Sequence, residues 1–167
     1  METKFQHKSQ GGWEVAVHPN DLTISSQCEL LEKDSTTGAE EVPYLQRPNL
    51  QVKTNRLIQY DQFWTVGFSW IVNGPLACLL EGGYWKCEVL FEHMGGGESY
   101  YQPEVIVDDL GRSGYQYNSE IEVKPKSLRP GVYRVICCLQ YCLKNGSPGP
   151  FCGFEDKGLI KIYEDKR

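Results

Sequence analysis

The sequence predicts an all-β fold, an antiparallel β-sandwich, on three observations. Short apolar or alternating runs recur at close spacing and are bounded by Gly and Pro, as strands joined by turns would be. No amphipathic stretch of helical length interrupts them, and only Glu29–Lys33 offers even one helical turn. Finally, Leu128-Arg129-Pro130-Gly131-Val132-Tyr133 places a stiff reversal directly before the long apolar run Val132–Leu143. Pro130 fixes one backbone angle there and Gly131 frees the next. An up-and-down β-barrel is the rival arrangement of the same elements.

Taken in order, residues 1–11 read as a flexible tail, and residues 12–167 as a single domain. Trp13-Glu14-Val15-Ala16-Val17 alternates as a half-buried first strand does, and Leu22-Thr23-Ile24 makes a short second one. Glu32 to Pro48 is polar around Asp34-Ser35-Thr36-Thr37-Gly38 and reads as a long loop; Leu50 to Gln59 reads as a strand. From Phe63 the period of two is plain: Trp64, Val66, Phe68 and Trp70 share one face, and Thr65, Gly67 and Ser69 the other. Leu76–Leu80 and Tyr84–Glu92 flank Gly82-Gly83, a pair able to form a two-residue hairpin turn. On the second of these runs Trp85, Cys87, Val89 and Phe91 form the apolar face. Val105–Val107, Tyr117–Val123, Val132–Leu143 and Leu159–Tyr163 complete the set.

The Leu-x-Pro-Gly-x-Tyr order at 128–133 resembles the tyrosine corner of immunoglobulin-like and fibronectin type III sandwiches. That resemblance implies a Tyr133 hydroxyl bonded back to the backbone a few residues upstream, and Trp85 as the core tryptophan of the third strand. It covers roughly the last 100 residues and, as a likeness of fold, implies no function. The strand Phe63–Val72 carries no Cys, so the inter-sheet disulfide of antibody domains is missing.

Composition bounds the function classes. The 167 residues suit one domain and carry 40% hydrophobic and 12% aromatic residues, enough for a real core. The net charge is −5, and no run of Lys or Arg stands out, so duplex nucleic acid and anionic membrane are poor partners. No stretch reaches the roughly 18 apolar residues of a membrane span. The start, Met1-Glu2-Thr3-Lys4-Phe5, is polar and unlike a secretory signal, so the expected location is cytoplasmic.

Seven cysteines are then expected to be mostly reduced and packed as small hydrophobes. Counting outward from a Gly82-Gly83 hairpin sets Cys78 opposite Cys87 in a non-hydrogen-bonded pair, with Cα atoms about 4.5 Å apart. The pair is either a disulfide or two packed thiols. Cys137, Cys138, Cys142 and Cys152 suggest a metal or redox centre. However, Cys138 and Cys142 on one strand lie roughly 13 Å apart, no Cys-x-x-Cys knuckle occurs, and His7, His18 and His93 are scattered. No metal or other cofactor is therefore expected. Catalytic signals are equally thin. There is no Gly-x-Ser-x-Gly elbow, Gly95-Gly96-Gly97 is followed by Glu98 and reads as a strand connection, and Asp108-Asp109 with Glu98 or Glu104 lacks calcium-loop spacing.

The connections carry more. In an immunoglobulin-like topology Asn73–Gly83, Asp109–Gly114 and Lys144–Asp156 gather at one end. The last is stiffened by Gly and Pro and bears Phe151 and Phe154, which either meet a partner or fold back to cap the core. At the other end, Tyr100-Tyr101 with Tyr115 and Tyr117 form a second aromatic patch, for packing or for a partner or a sugar. The expected function is a non-enzymatic module that binds a partner protein, or a second copy of itself. Asn73, Arg112, Phe151 and Phe154 are the expected contact residues. A thiol- or metal-dependent enzyme built on the clustered cysteines, and a ligand-binding barrel, are the alternatives.

Overall fold

The computed structural model describes residues 10–15, 18–32 and 56–164. The strands are β1 (Gln10–Val15), β2 (Thr23–Glu32), β3 (Leu57–Gln59), β4 (Trp64–Asn73), β5 (Tyr84–His93), β6 (Gly97–Glu98), β7 (Glu104–Asp108), β8 (Tyr115–Val123), β9 (Gly131–Cys142) and β10 (Pro148–Tyr163). Two sheets result. The larger runs β1-β10-β9-β5, with β6 and β7 both on the far side of β5 and β3 beside the end of β10; the smaller is β2-β4-β8. All pairings are antiparallel except β3 with β10. The fold is thus all-β in two sheets, rather than one up-and-down barrel.

The period-two faces read from the sequence become the interlayer. Trp64, Val66, Phe68 and Trp70 of β4 are buried against Trp85, Cys87, Val89 and Phe91 of β5, in one continuous core. Trp70 meets Trp85 with ring centres 6.0 Å apart, and Trp64 meets Phe91 edge-on at 5.8 Å. Rings packed in this way add roughly 1 kcal/mol each beyond the area they bury. At the bottom of the layer the turn before β9 closes as expected. The Tyr133 hydroxyl donates to the Arg129 carbonyl at 2.9 Å, and the Tyr133 ring sits 4.8 Å from that of His93.

Four expectations change. Leu76–Leu80 is not a strand: Pro75–Leu80 forms a 3₁₀ segment. Gly83 then donates to the Leu80 carbonyl at 3.1 Å, with Glu81 near φ −55°, ψ 132° and Gly82 at φ 86°. These are the angles of a type II turn, which needs glycine at one position only, so the two-residue hairpin does not form. The strand read at Leu22–Ile24 falls at the start of β2, ten residues long; of the helical turn read at Glu29–Lys33, residues 29–32 are strand and Lys33 lies outside the described residues. Ser25-Ser26-Gln27 hides the alternation in which Ile24, Cys28 and Leu30 turn toward the core. The connection foreseen at 144–156 is mostly strand, because β10 begins at Pro148 and pairs with β9. The first strand begins at Gln10, inside the stretch read as a tail. Of the strand read at 50–59, Leu57–Gln59 is seen; its residues 50–55, and the loop residues 33–48, lie outside the described residues. Among the described residues no helix is long and apolar enough to cross a membrane.

Candidate functional site at the loop end

Three connections meet where β4, β7 and β9 end. The first is 74–83, the second 109–114, the third 143–147. Their meeting is fixed by polar side chains that the core strands push up from below. Trp85, fully buried on β5, donates its indole N–H to Asp109 Oδ2 at 2.6 Å, while Asp109 Oδ1 accepts the Gly111 N–H at 2.6 Å. The Asp109 N–H donates to the Gly83 carbonyl at 3.0 Å, which joins the second connection to the first. Tyr117 Oη accepts the Leu110 N–H at 3.0 Å, and its ring stacks on Trp70 at 5.4 Å. From β9, Tyr141 Oη donates to the Leu80 carbonyl at 2.9 Å. A Cβ on Gly83 would land on that same Tyr141 hydroxyl, so the close approach of the first connection to β9 requires glycine.

Burial raises the pKa of both Tyr117 and Tyr141, and the nearby Asp109 charge raises it further, so both remain neutral hydroxyls near neutral pH. A buried carboxylate costs free energy unless hydrogen-bonded; here Asp109 accepts from an indole and a backbone amide, and this offsets the cost.

On this fastened base the connections hold apolar side chains outward. Leu79 on the 3₁₀ segment is 72% exposed, and Leu110 and Leu143 are exposed on the other two connections. Tyr115 stands at the start of β8, its ring edge-on to Tyr117 at 4.8 Å. Asn73 and Arg112, expected as contact residues, are exposed at this end, where Gly74 N–H also donates to Ser113 Oγ at 3.0 Å.

The two phenylalanines separate. Phe151 is 4% exposed and packs on Tyr141 with ring centres 6.0 Å apart, so it belongs to the core; on a β10 paired with β9 its side chain turns inward. Phe154 is 55% exposed but lies mid-strand on the outer face of the large sheet, opposite Cys138, away from the connections. Neither is a loop residue. The tyrosines, expected together at the opposite end, separate as well. Tyr115 and Tyr117 belong to the loop end, whereas Tyr101 stacks on Phe91 at 6.0 Å and Tyr100 projects fully into solvent from the connection before β7. Gly95 and Gly96 turn the chain from β5 into β6, as a strand connection.

Cys137, Cys138, Cys142 and Cys152 are spread over both faces of the large sheet. All seven are free thiols. Cys78 is exposed on the 3₁₀ segment, while Cys87 is buried opposite Leu139 and Val105, so the hairpin pairing of Cys78 with Cys87 does not occur. Cys137 faces the core, while Cys138 and Cys152 lie half-buried on the opposite, outer face. Burial pushes the Cys87 thiol up to about 12 and Cys138 up to about 11, which keeps them protonated and weakly nucleophilic.

Leu79, Leu110 and Leu143 were not singled out from the sequence. Leu79 and Leu143 were absorbed into the apolar runs Leu76–Leu80 and Val132–Leu143, and Leu110 lay within the connection Asp109–Gly114 without being marked as its apolar residue.

No protein-family model matches the chain, and no curated protein matches it. Among solved structures it is similar to the X-ray structure of a Northeast Structural Genomics Consortium target, SoR45, at 10% identity over 86% of each chain, with a TM-score of 0.27. A likeness this slight carries no functional argument.

Proposed function

We propose that the chain is a non-enzymatic binding module, an immunoglobulin-like sandwich that takes a partner protein at its loop end. The observation that carries this reading is the exposed set Leu79, Leu110 and Leu143, one from each of three connections at the same end, the first two of which are fastened to the core strands by buried hydrogen bonds. Apolar side chains on a stiff base lose little freedom when a partner covers them. Isolated exposed apolar residues are ordinary, and three gathered at one end are the kind of feature a partner would cover. Arg112 and Asn73 supply polar contacts at its margin.

The fold assignment has its own support. The small sheet runs β2-β4-β8 and the large one carries β7-β5-β9-β10, with Trp85 of β5 buried in the core between them. The hydroxyl of Tyr133 closes the turn into β9. A buried tryptophan and a tyrosine corner are hallmarks of that architecture.

Affinity capture from a cell lysate tests the reading, with wild type beside Leu79→Asp, Leu110→Asp and Phe154→Asp. All three positions are exposed, so melting temperatures should stay within a few degrees of wild type. The expected outcome is a set of proteins held by wild type and Phe154→Asp and lost from both leucine variants. Retention by all variants, or loss confined to Phe154→Asp, overturns it.

A further inference from the structure

Two thiols from different sheets meet in the interlayer. Cys28 faces inward from β2, Cys137 faces inward from β9, and both line one narrow cleft. Contacts from the third strand involved, β10, fix their proximity independently. Glu155, paired directly opposite Cys137, accepts the Cys28 N–H on Oε2 at 2.9 Å. Lys157 Nζ donates to the Cys28 carbonyl at 2.7 Å and to Glu155 Oε1 at 2.8 Å. Cys28 is thus gripped at both backbone polar groups by side chains flanking the partner thiol's position. A narrow cleft opens beside Ser26, Gln27 and Phe154, and Cys28 and Cys137 are among its walls.

We propose that a small peroxide, with hydrogen peroxide as the type, oxidises this pair to an inter-sheet Cys28–Cys137 disulfide. In the first step one sulfur attacks the peroxide O–O bond and becomes a sulfenic acid; the thiol proton leaves with the displaced hydroxide as water. In the second the other thiol attacks that sulfur, the S–O bond breaks, and its proton forms a second water. Two thiols and one peroxide yield one disulfide and two waters. Burial raises the Cys28 thiol pKa, so the first step is slow and the modification marks sustained oxidant. The bond closes a long loop, joining the side strand of one sheet to the centre of the other, and constrains the unfolded chain strongly. This site is separate from the loop end and does not depend on the function proposed for it.

The full-length protein, reduced and then treated with hydrogen peroxide, provides the test. After remaining thiols are alkylated in denaturant, peptide mapping is expected to show Cys28 linked to Cys137, and melting temperature to rise on the order of 10 °C. Dithiothreitol should reverse both. Cys138→Ser, at a half-buried outer position, should keep the link and so assign it to Cys137 rather than to its neighbour. If Cys28 and Cys137 remain alkylatable after exposed Cys78 has been oxidised, or if Cys28 links elsewhere, the proposal fails.

Discussion

At the foot of the sandwich Tyr133 reaches back four residues to the Arg129 carbonyl; at the loop end Tyr141 reaches the Leu80 carbonyl, 61 residues away along the chain. The bonds have the same chemistry and the same 2.9 Å length. Their consequences differ. The first closes a single turn using residues already adjacent, at the end of a connection in which Lys124, Lys126 and Arg129 are exposed. The second acts beside the Trp85–Asp109 bond and fastens separate connections to the core strands at the end where Leu79, Leu110 and Leu143 are exposed. A local pin shapes the chain, whereas pins between distant segments create a composite face that no single segment has.

That contrast can be broken or sharpened by substitution. The largest effect is expected at Phe151, where truncation to Ala should cost about 3–5 kcal/mol in urea unfolding because a buried ring beneath Tyr141 is lost. Phe154→Ala on the outer face should stay within about 1 kcal/mol. Equal losses would dissolve the distinction between core and surface drawn for these two residues.

Next comes Asp109→Ala. It leaves the buried Trp85 indole N–H and the Gly111 N–H without their acceptor, for a loss of about 2–3 kcal/mol. Tyr133→Phe removes one hydroxyl at a half-solvated corner and should cost about 1 kcal/mol. A larger loss at Tyr133 than at Asp109 would reverse the ranking of the two ends.

The smallest effect concerns Asp156. Hydrogen bonds from Arg134 and from the Gly158 N–H lower its pKa in the folded state. A group whose folded pKa is depressed stabilises above its unfolded value, about 4 for Asp. That contribution is lost as pH falls through the folded value. Asp156→Asn should therefore be slightly less stable at neutral pH and show a shallower loss below about pH 4, read as melting temperature against pH.

The same local-versus-distant difference decides what the sequence could disclose. The tyrosine corner was legible because Arg129, Pro130, Gly131 and Tyr133 are neighbours. The core faces of β4 and β5 were legible because a period of two needs only one strand. The partners of Trp85, Tyr141 and Cys28 were not, since Asp109, Leu80 and Cys137 are brought to them by topology. Cys28 was passed over because Ser26 and Gln27 ended the apparent strand too early. Phe151 was misread for a related reason: Pro148-Gly149-Pro150 has the composition of a loop, yet Pro148 starts β10 beside Cys142, and the pairing overrides the local signal.

The grip on Cys28 has one more consequence. Among the described residues β2 borders the small sheet and pairs only with β4. On the opposite side its backbone would offer an intruding strand from another molecule the N–H and C=O groups on which cross-β growth begins. At Cys28 both groups are already taken, the N–H by Glu155 and the carbonyl by Lys157, one negative and one positive side chain projecting from β10. An incoming strand would have to displace a charged pair at the middle of its register, so these two residues act as gatekeepers against misassembly as well as structural contacts.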